Sequence, residues 1–197
     1  MNKKLGIAVA AVVTGALAFT ASPASAHQAP KPVGTIVDVA VAASGGGTPD
    51  ANGADYDLLV QAVIATGLDD TLGDPEGTFT VFAPNDRAFI RLVTDLTGTA
   101  PASESAALTA ITSTFTTDEI SDILLYHVVA GKKLSPIKVV LSRSLEMANG
   151  GVVKPRGVVL KDETSSLKNP KLVLRGLNIP ASNGVIHTID RVLVPSS

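Results

Sequence analysis

Between residues 35 and 130 the apolar positions recur mostly at helical spacing, and beyond residue 130 they mostly alternate. Thr35 to Ala43 (TIVDVAVAA) is apolar enough to form a first helix or a docked segment. In Asp55–Thr66, the positions Leu59, Ala62, Val63 and Thr66 fall on one helical face, with Asp55 placed to cap the start and Gly67 to end it. Thr78 to Phe82 (TFTVF) alternates and is rich in β-formers, which predicts a strand stopped by Pro84. Asn85 then opens a helix with the inward stripe Ala88, Phe89, Leu92, Val93 and Leu96. Its side-chain oxygen can accept from a free amide of the first turn. Ala106 to Ile111 predicts a short helix. Thr116 and Glu119 stand in the two places of a capping box, ahead of Ile120, Ile123, Leu124 and His127 on one face. From Tyr126–Val129 onward the chain reads as β. Strands are predicted at Leu145–Ala148 and Val152–Lys154 around the turn Asn149-Gly150-Gly151, and at Leu172–Leu174 and Val185–Val194, with Ile179–Gly184 as a connector. Helices first and strands later predict an α+β fold, and no internal repeat is present.

The N-terminus changes the picture of where this fold works. Lys3 and Lys4 precede an apolar run from Leu5 to Phe19, followed by Ala24-Ser25-Ala26. A positive start, a short apolar stretch and an A-x-A site define a secretory signal peptide over residues 1–26, with cleavage leaving His27 first. The alternative is an uncleaved anchor, but the run is shorter than the roughly 20 apolar residues of a comfortable span. Residues 27–33 then form a flexible leader. Residues 44–54 (SGGGTPDANGA) form a Gly-rich surface loop inside the domain that follows. There is no cysteine, which removes disulfides, thiolate metal sites, a cysteine nucleophile and a lipidated cysteine. The expectation is one soluble domain outside the cytoplasm, with no membrane span after cleavage and held by core burial alone.

Three pieces in register resemble the fasciclin family: TFTVFAPNDRAF (Thr78–Phe89) its first homology box, LLYHVVAGKKL (Leu124–Leu134) its Tyr-His core, and NGVIHTIDRVLVP (Asn183–Pro195) its second box. The resemblance covers residues 34–195. It implies a β-wedge with helices packed around it and an extracellular or cell-wall placement. It also implies a non-enzymatic adhesion or binding role toward an extracellular protein or polysaccharide. Nucleic acid is not expected as a partner, nor is a cofactor. Some members bind apolar small molecules, so an apolar-ligand or lipid carrier is the alternative function. The residues matching the family's structural motif are Phe82, Ala83, Pro84, Asn85, Tyr126, His127, Asn183, Gly184, His187 and Asp190. Where the family has Asp-Ile ahead of the second box, this chain has Asn178-Ile179. The integrin recognition linked to that pair in animal members is therefore not implied here.

Candidate chemistry is sparse. His127 and His187 could act as a general base or a metal pair. Yet both lie on apolar faces, where a neutral imidazole joins two backbone groups, and two histidines without a third ligand make a poor zinc site. No G-x-S-x-G elbow and no phosphate-binding glycine loop occurs, which leaves a hydrolase only as a third reading. Asp69-Asp70 and Asp74-Pro75-Glu76 lack the alternation of a calcium loop and read as solvated turns. Asp190-Arg191 reads as a local ion pair or a backbone clamp at a strand end. Catalytic and metal-binding residues are accordingly expected to be absent. Charge is the one unabsorbed feature. His27–Ala130 holds fourteen acidic and three basic residues, whereas Gly131–Ser197 holds four acidic and eleven basic ones. Interleaving of the two sets across the fold, each neutralising the other, is the simpler expectation. The alternative is a basic side that contacts a polyanion, with Lys132, Lys133, Lys154 and Arg156 as candidate contacts.

Overall fold

The structure, a computed structural model, describes residues 34–196, so the signal peptide and leader expected over residues 1–33 lie outside the described residues. The helices are α1 (Ile36–Ala43), α2 (Asp57–Ala65), α3 (Leu68–Leu72), α4 (Asp86–Thr97), α5 (Glu104–Thr114), α6 (Thr117–Leu125) and α7 (Pro136–Leu141). The strands are β1 (Phe79–Pro84), β2 (Val128–Ala130), β3 (Leu145–Glu146), β4 (Val152–Arg156), β5 (Val159–Lys161), β6 (Ile179–Ala181) and β7 (Gly184–Ile189). Helices early and strands late is the observed order, with β1 as the early strand and α7 as the late helix.

A four-stranded sheet, ordered β2-β1-β7-β6, forms the centre of the wedge. β1 runs parallel to β7, with Phe79 opposite Gly184 and Phe82 opposite His187, and antiparallel β2 and β6 close the edges. Alternation along the central strands sends side chains into two separate cores. Val81, Ala83 and Ile186 join the α1, α2 and α4–α6 residues Ile36, Leu58, Phe89 and Leu124 on one side. Phe82 and Ile189 join Tyr126, Val139, Val153 and Leu160 on the other. β1 and β7 are therefore buried on both faces, the usual fate of parallel strands. The second core is closed by α7 and a three-stranded sheet ordered β3-β4-β5.

Several sequence-based expectations shift for local reasons. The first segment is a helix, begun by a capping box between Thr35 and Asp38. α2 is not capped by Asp55: its N-cap is Tyr56 with no side-chain bond, and Asp86 accepts from the Asp57 and Leu58 amides at 3.2 and 2.8 Å instead. A tertiary carboxylate thus does the work of a local cap. Leu96 leaves the inward stripe of α4 and is exposed, while Ala88, Phe89, Leu92 and Val93 are buried. α5 is longer than expected because Ser103 caps it at Ala106. Residues 136–141 form a helix, not a strand, started by the Ser135 cap and Pro136 in its first turn. Leu172 makes only an isolated bridge to Ile189, and Leu174–Gly176 is a 3-10 turn. The expected connector Ile179–Gly184 holds strand β6, and the expected strand Val185–Val194 ends at Ile189. The Gly-rich loop follows α1, and it is anchored at several points. Ser44 Oγ accepts from the Tyr56 amide, the Gly47 carbonyl from Gln61, and the Gly53 carbonyl from the Arg87 amide.

Candidate functional site

The motif residues converge on the central sheet. Phe82, Ala83, Pro84, His187 and Gly184 lie on β1 and β7, and Asn85 caps α4 by accepting from the Ala88 amide at 3.1 Å. That bond is the only one its side chain makes among the described residues, so Asn85→Ala is expected to cost about 1 kcal/mol in chemical denaturation. A loss several times larger would mean the side chain has a second, tertiary task. Tyr126 and His127 follow α6 and face different neighbours. The buried Tyr126 hydroxyl donates to the Val152 carbonyl at 3.0 Å and accepts from the Glu163 amide at 3.2 Å, tying α6 to β4 and to the chain after β5. His127 donates from Nδ1 to the Ile123 carbonyl at 2.7 Å and accepts at Nε2 from the Leu193 amide at 2.9 Å. His187 uses the other tautomer: Nδ1 accepts from the Asn178 amide at 3.1 Å, and Nε2 donates to the Leu134 carbonyl at 2.8 Å. In each ring the one lone pair is engaged by a backbone amide. Burial holds the pKa of His127 down to about 4 and lowers that of His187. Asn178 has a φ of 59°, a left-handed conformation that asparagine tolerates better than most residues.

Asn183 is a three-way clasp. Its Oδ1 accepts from the Ile36 amide at 2.9 Å, and its Nδ2 donates to the Leu72 and Asp74 carbonyls at 2.7 and 2.8 Å. Asp190 is the clamp expected of it: Oδ1 accepts from the Lys171 amide at 2.7 Å. It pairs with Arg91 of α4, not with its neighbour Arg191, which pairs with Asp95.

These two are the ion pairs among the described residues, and neither involves a basic residue between Lys132 and Arg175. Arg191 and Asp190 thus join the two charge sets as the simpler expectation has it, but the ten basic residues from Lys132 to Arg175 have no close ion pair among the described residues. The candidate contacts fall on two places. Lys132 and Lys133 are exposed in the loop after β2, where Lys133 donates to the Ser182 carbonyl at 2.8 Å beside an open groove of about 450 Å³ along β6. Lys154 and Arg156 are exposed on β4, where Lys154 pairs with Lys161 and Arg156 with Val159, which bridges to Lys171. Cross-strand partners share a face, so Lys154, Arg156, Lys161 and Lys171 stand together on the solvent side of this sheet. Next to them, α7 and the 3-10 turn expose Ile137 (71%), Leu141 (76%) and Leu174 (73%) around a groove that Val158 also lines.

A site missed in sequence lies at the opposite end of the charge scale. Asp55, Asp57, Asp86 and Glu104 are all buried, and they are assembled with the exposed Asp50 from the Gly-rich loop, α2, α4 and α5. Oxygens of Asp50, Asp55 and Asp57 lie within 4.8 Å of one another, as do those of Asp55, Asp86 and Glu104. Burial, aided by the neighbouring carboxylates, raises the pKa of Asp57 to about 6 and that of Asp86 to about 8, and raises that of Glu104. The alternating run Asp55-Tyr56-Asp57 was its only local signal. Asp86 and Glu104 come from distant parts of the chain.

The fasciclin domain model matches residues 54–195, and the chain belongs to that family. Among relatives, the uncharacterized protein sll1735 of Synechocystis sp. is 33% identical over 71% of this chain and 89% of its own. The immunogenic protein MPB70 of Mycobacterium bovis is 34% identical over 80% of this chain and 68% of its own. The transforming growth factor-beta-induced protein ig-h3 of Sus scrofa is 30% identical over 71% of this chain, but over only 18% of its own length. Among solved structures, a FAS1 domain pair from the insect cell adhesion molecule fasciclin I aligns with a TM-score of 0.55 at 17% identity. It covers 83% of this chain and 51% of the insect chain, a likeness of fold.

Proposed function

We propose that the chain is a secreted, non-enzymatic binding module, released from residues 1–26, whose domain spans residues 34–195 and whose basic face meets an acidic extracellular polymer such as a cell-wall or matrix polysaccharide. The observation behind this reading is the row Lys154, Arg156, Lys161 and Lys171. Like charges placed directly across a sheet repel one another, and here they have no acidic partner within the described residues. An anionic partner relieves that repulsion. Ile36 of α1 sits in the same core as the family-matched segment, with Val37 and Val39 packed against it, which supports a domain start ahead of residue 54. The adhesion role of the insect molecule whose fold it shares supports a binding role, as does the positive, apolar, A-x-A order of residues 1–26. The carrier alternative finds less support: the two cavities within the helical core, one of them lined by Ile36, Leu59, Val63, Leu72 and Leu124, measure about 30 Å³ each, and the larger grooves lie open on the surface. Ligand pockets run to roughly 300–1,000 Å³.

The test is retention on an acidic polysaccharide resin at low salt and release as salt rises, because exposed charges are screened over about 10 Å at 0.1 M salt. Replacing Lys154, Arg156, Lys161 and Lys171 with serine is expected to weaken binding roughly 10–100-fold without unfolding the domain. Flow-through of the wild-type chain at low salt would exclude the polyanion. The exposed Ile137, Leu141 and Leu174 would then mark a protein-binding face.

A further inference from the structure

We propose that Asp50, Asp55, Asp57, Asp86 and Glu104 form a calcium site that fastens the Gly-rich loop to the helical side of the domain. Four of the five side chains are nearly or wholly inaccessible: Asp55 at 8%, Asp57 at 0%, Asp86 at 0% and Glu104 at 3% exposure. Such a set of like charges does not stay buried without a counter-charge or added protons. No lysine, arginine or histidine forms an ion pair with any of them among the described residues, and the adjacent Arg87 is exposed and unpaired. The hydrogen bonds present satisfy only part of the set. Asp86 accepts from the Asp57 and Leu58 amides, Glu104 from the Asp50 amide, and Asp55 Oδ2 from Asn52. Both oxygens of Asp57 and the Oδ1 of Asp55 accept no well-formed hydrogen bond from the described residues. One of the two unpartnered Asp57 oxygens lies within 4.8 Å of oxygens of Asp50 and Asp55, and Asp55 is common to both carboxylate trios.

The chemistry selects the ion. All donors are carboxylate oxygens, with no imidazole or thiolate nearby, which favours a hard cation over zinc or copper. Oxygens as close together as those of each trio can share one ion at calcium–oxygen bonds of about 2.4 Å. Calcium also tolerates an irregular shell of six to eight oxygens, which suits ligands drawn from a loop and three helices, whereas magnesium demands a near-ideal octahedron. A cation here crosslinks residues 50–57 to α4 and α5, and the three consecutive glycines before them give the loop the freedom to close on it.

The test compares the full chain after chelation with the same chain in rising calcium chloride, by titration calorimetry and thermal melting. One calcium per chain is expected, with a Kd of about 0.1–1 mM or tighter, in the range of extracellular modules. At 10 mM calcium the melting temperature is expected to rise by about 3–10 °C. Asp57→Asn keeps the shape and removes one buried charge. It is expected to melt at or above the chelated wild type and to show no calcium shift. Asp50→Asn, at an exposed position that leaves the core intact, is expected to weaken binding several-fold. An unmoved melting temperature at 10 mM calcium would overturn the proposal in favour of carboxyls held by shared protons. Retention of the full shift in Asp57→Asn would overturn it by placing the ion elsewhere. Both readouts are independent of the basic face, so failure on the polysaccharide resin leaves this result standing.

Discussion

His127→Ala is expected to destabilise the fold by about 4 kcal/mol at pH 7, because it strands a buried amide and a half-buried carbonyl at roughly 1–3 kcal/mol each and leaves a void. The groups are the Ile123 carbonyl in the last turn of α6 and the Leu193 amide near the C-terminal end. They lie 70 residues apart, and one imidazole joins them. The same ring makes the deficit depend on pH. Its folded pKa of about 4 lies below the ordinary histidine value of 6.5, because burial disfavours the charged form. The unfolded chain therefore binds the proton more readily, and stability is lost as pH falls through this window. The full contribution of the neutral ring is present above the unfolded value and declines by about 3 kcal/mol on approaching the folded one. The alanine variant lacks this dependence. Its deficit relative to wild type is expected to shrink as pH falls from 7 to 4 in urea titrations. A deficit that stays constant across that range would mean that the ring protonates freely inside the fold.

The fold was legible where local chemistry and tertiary contacts agree. The Asn85 cap, the capping box at Thr116 and Glu119, and the stripe of α4 need only neighbouring residues, and each stands as read apart from the exposed Leu96. Errors arise where a distant group decides. Asp55 has the right type and place for an N-cap. Asp86, 31 positions later, takes the α2 amides, and Asp55 turns toward the carboxylate cluster. The stretch from Pro136 to Leu141 carries β-formers, but Ser135 and Pro136 supply a helix start that outweighs them. The clustered basic residues were legible as an excess but not as a face. Lys161 and Lys171 join Lys154 and Arg156 only through strand register, and register is a property of pairing, not of composition. The calcium cluster was beyond reach for the same reason, since its ligands meet only when four elements pack.

Asn183→Ala is expected to cost about 3–5 kcal/mol, since at least two fully buried groups lose their partner. The position links segments that no strand or helix joins. Its oxygen holds the first amide of α1, and its nitrogen holds the last residue of α3 and the turn after it. The side chain must lie deep in the fold to reach all three. Gly184 beside it makes this approach feasible: a Cβ there would collide with the Phe79 carbonyl and with Ile36 Cδ1. The pair Asn183-Gly184 thus sets both the β6–β7 turn and the docking of α1 against β7. Asn183→Asp separates the two halves of the clasp. It keeps an acceptor for the Ile36 amide but sets a carboxylate oxygen against two carbonyls that the amide nitrogen now contacts at 2.7 and 2.8 Å. It is expected to be at least as damaging as alanine at pH 7, and to recover part of the loss in acid, where the protonated carboxyl can donate to one carbonyl. Hydrogen exchange would show where the loss falls. Protection is expected to drop first at Ile36–Ala40, while the amides of β1 and β7 retain theirs until global unfolding. Uniform loss across both sheets, or an alanine variant within 1 kcal/mol of wild type in urea titration, would show that α1 is held by its apolar face alone.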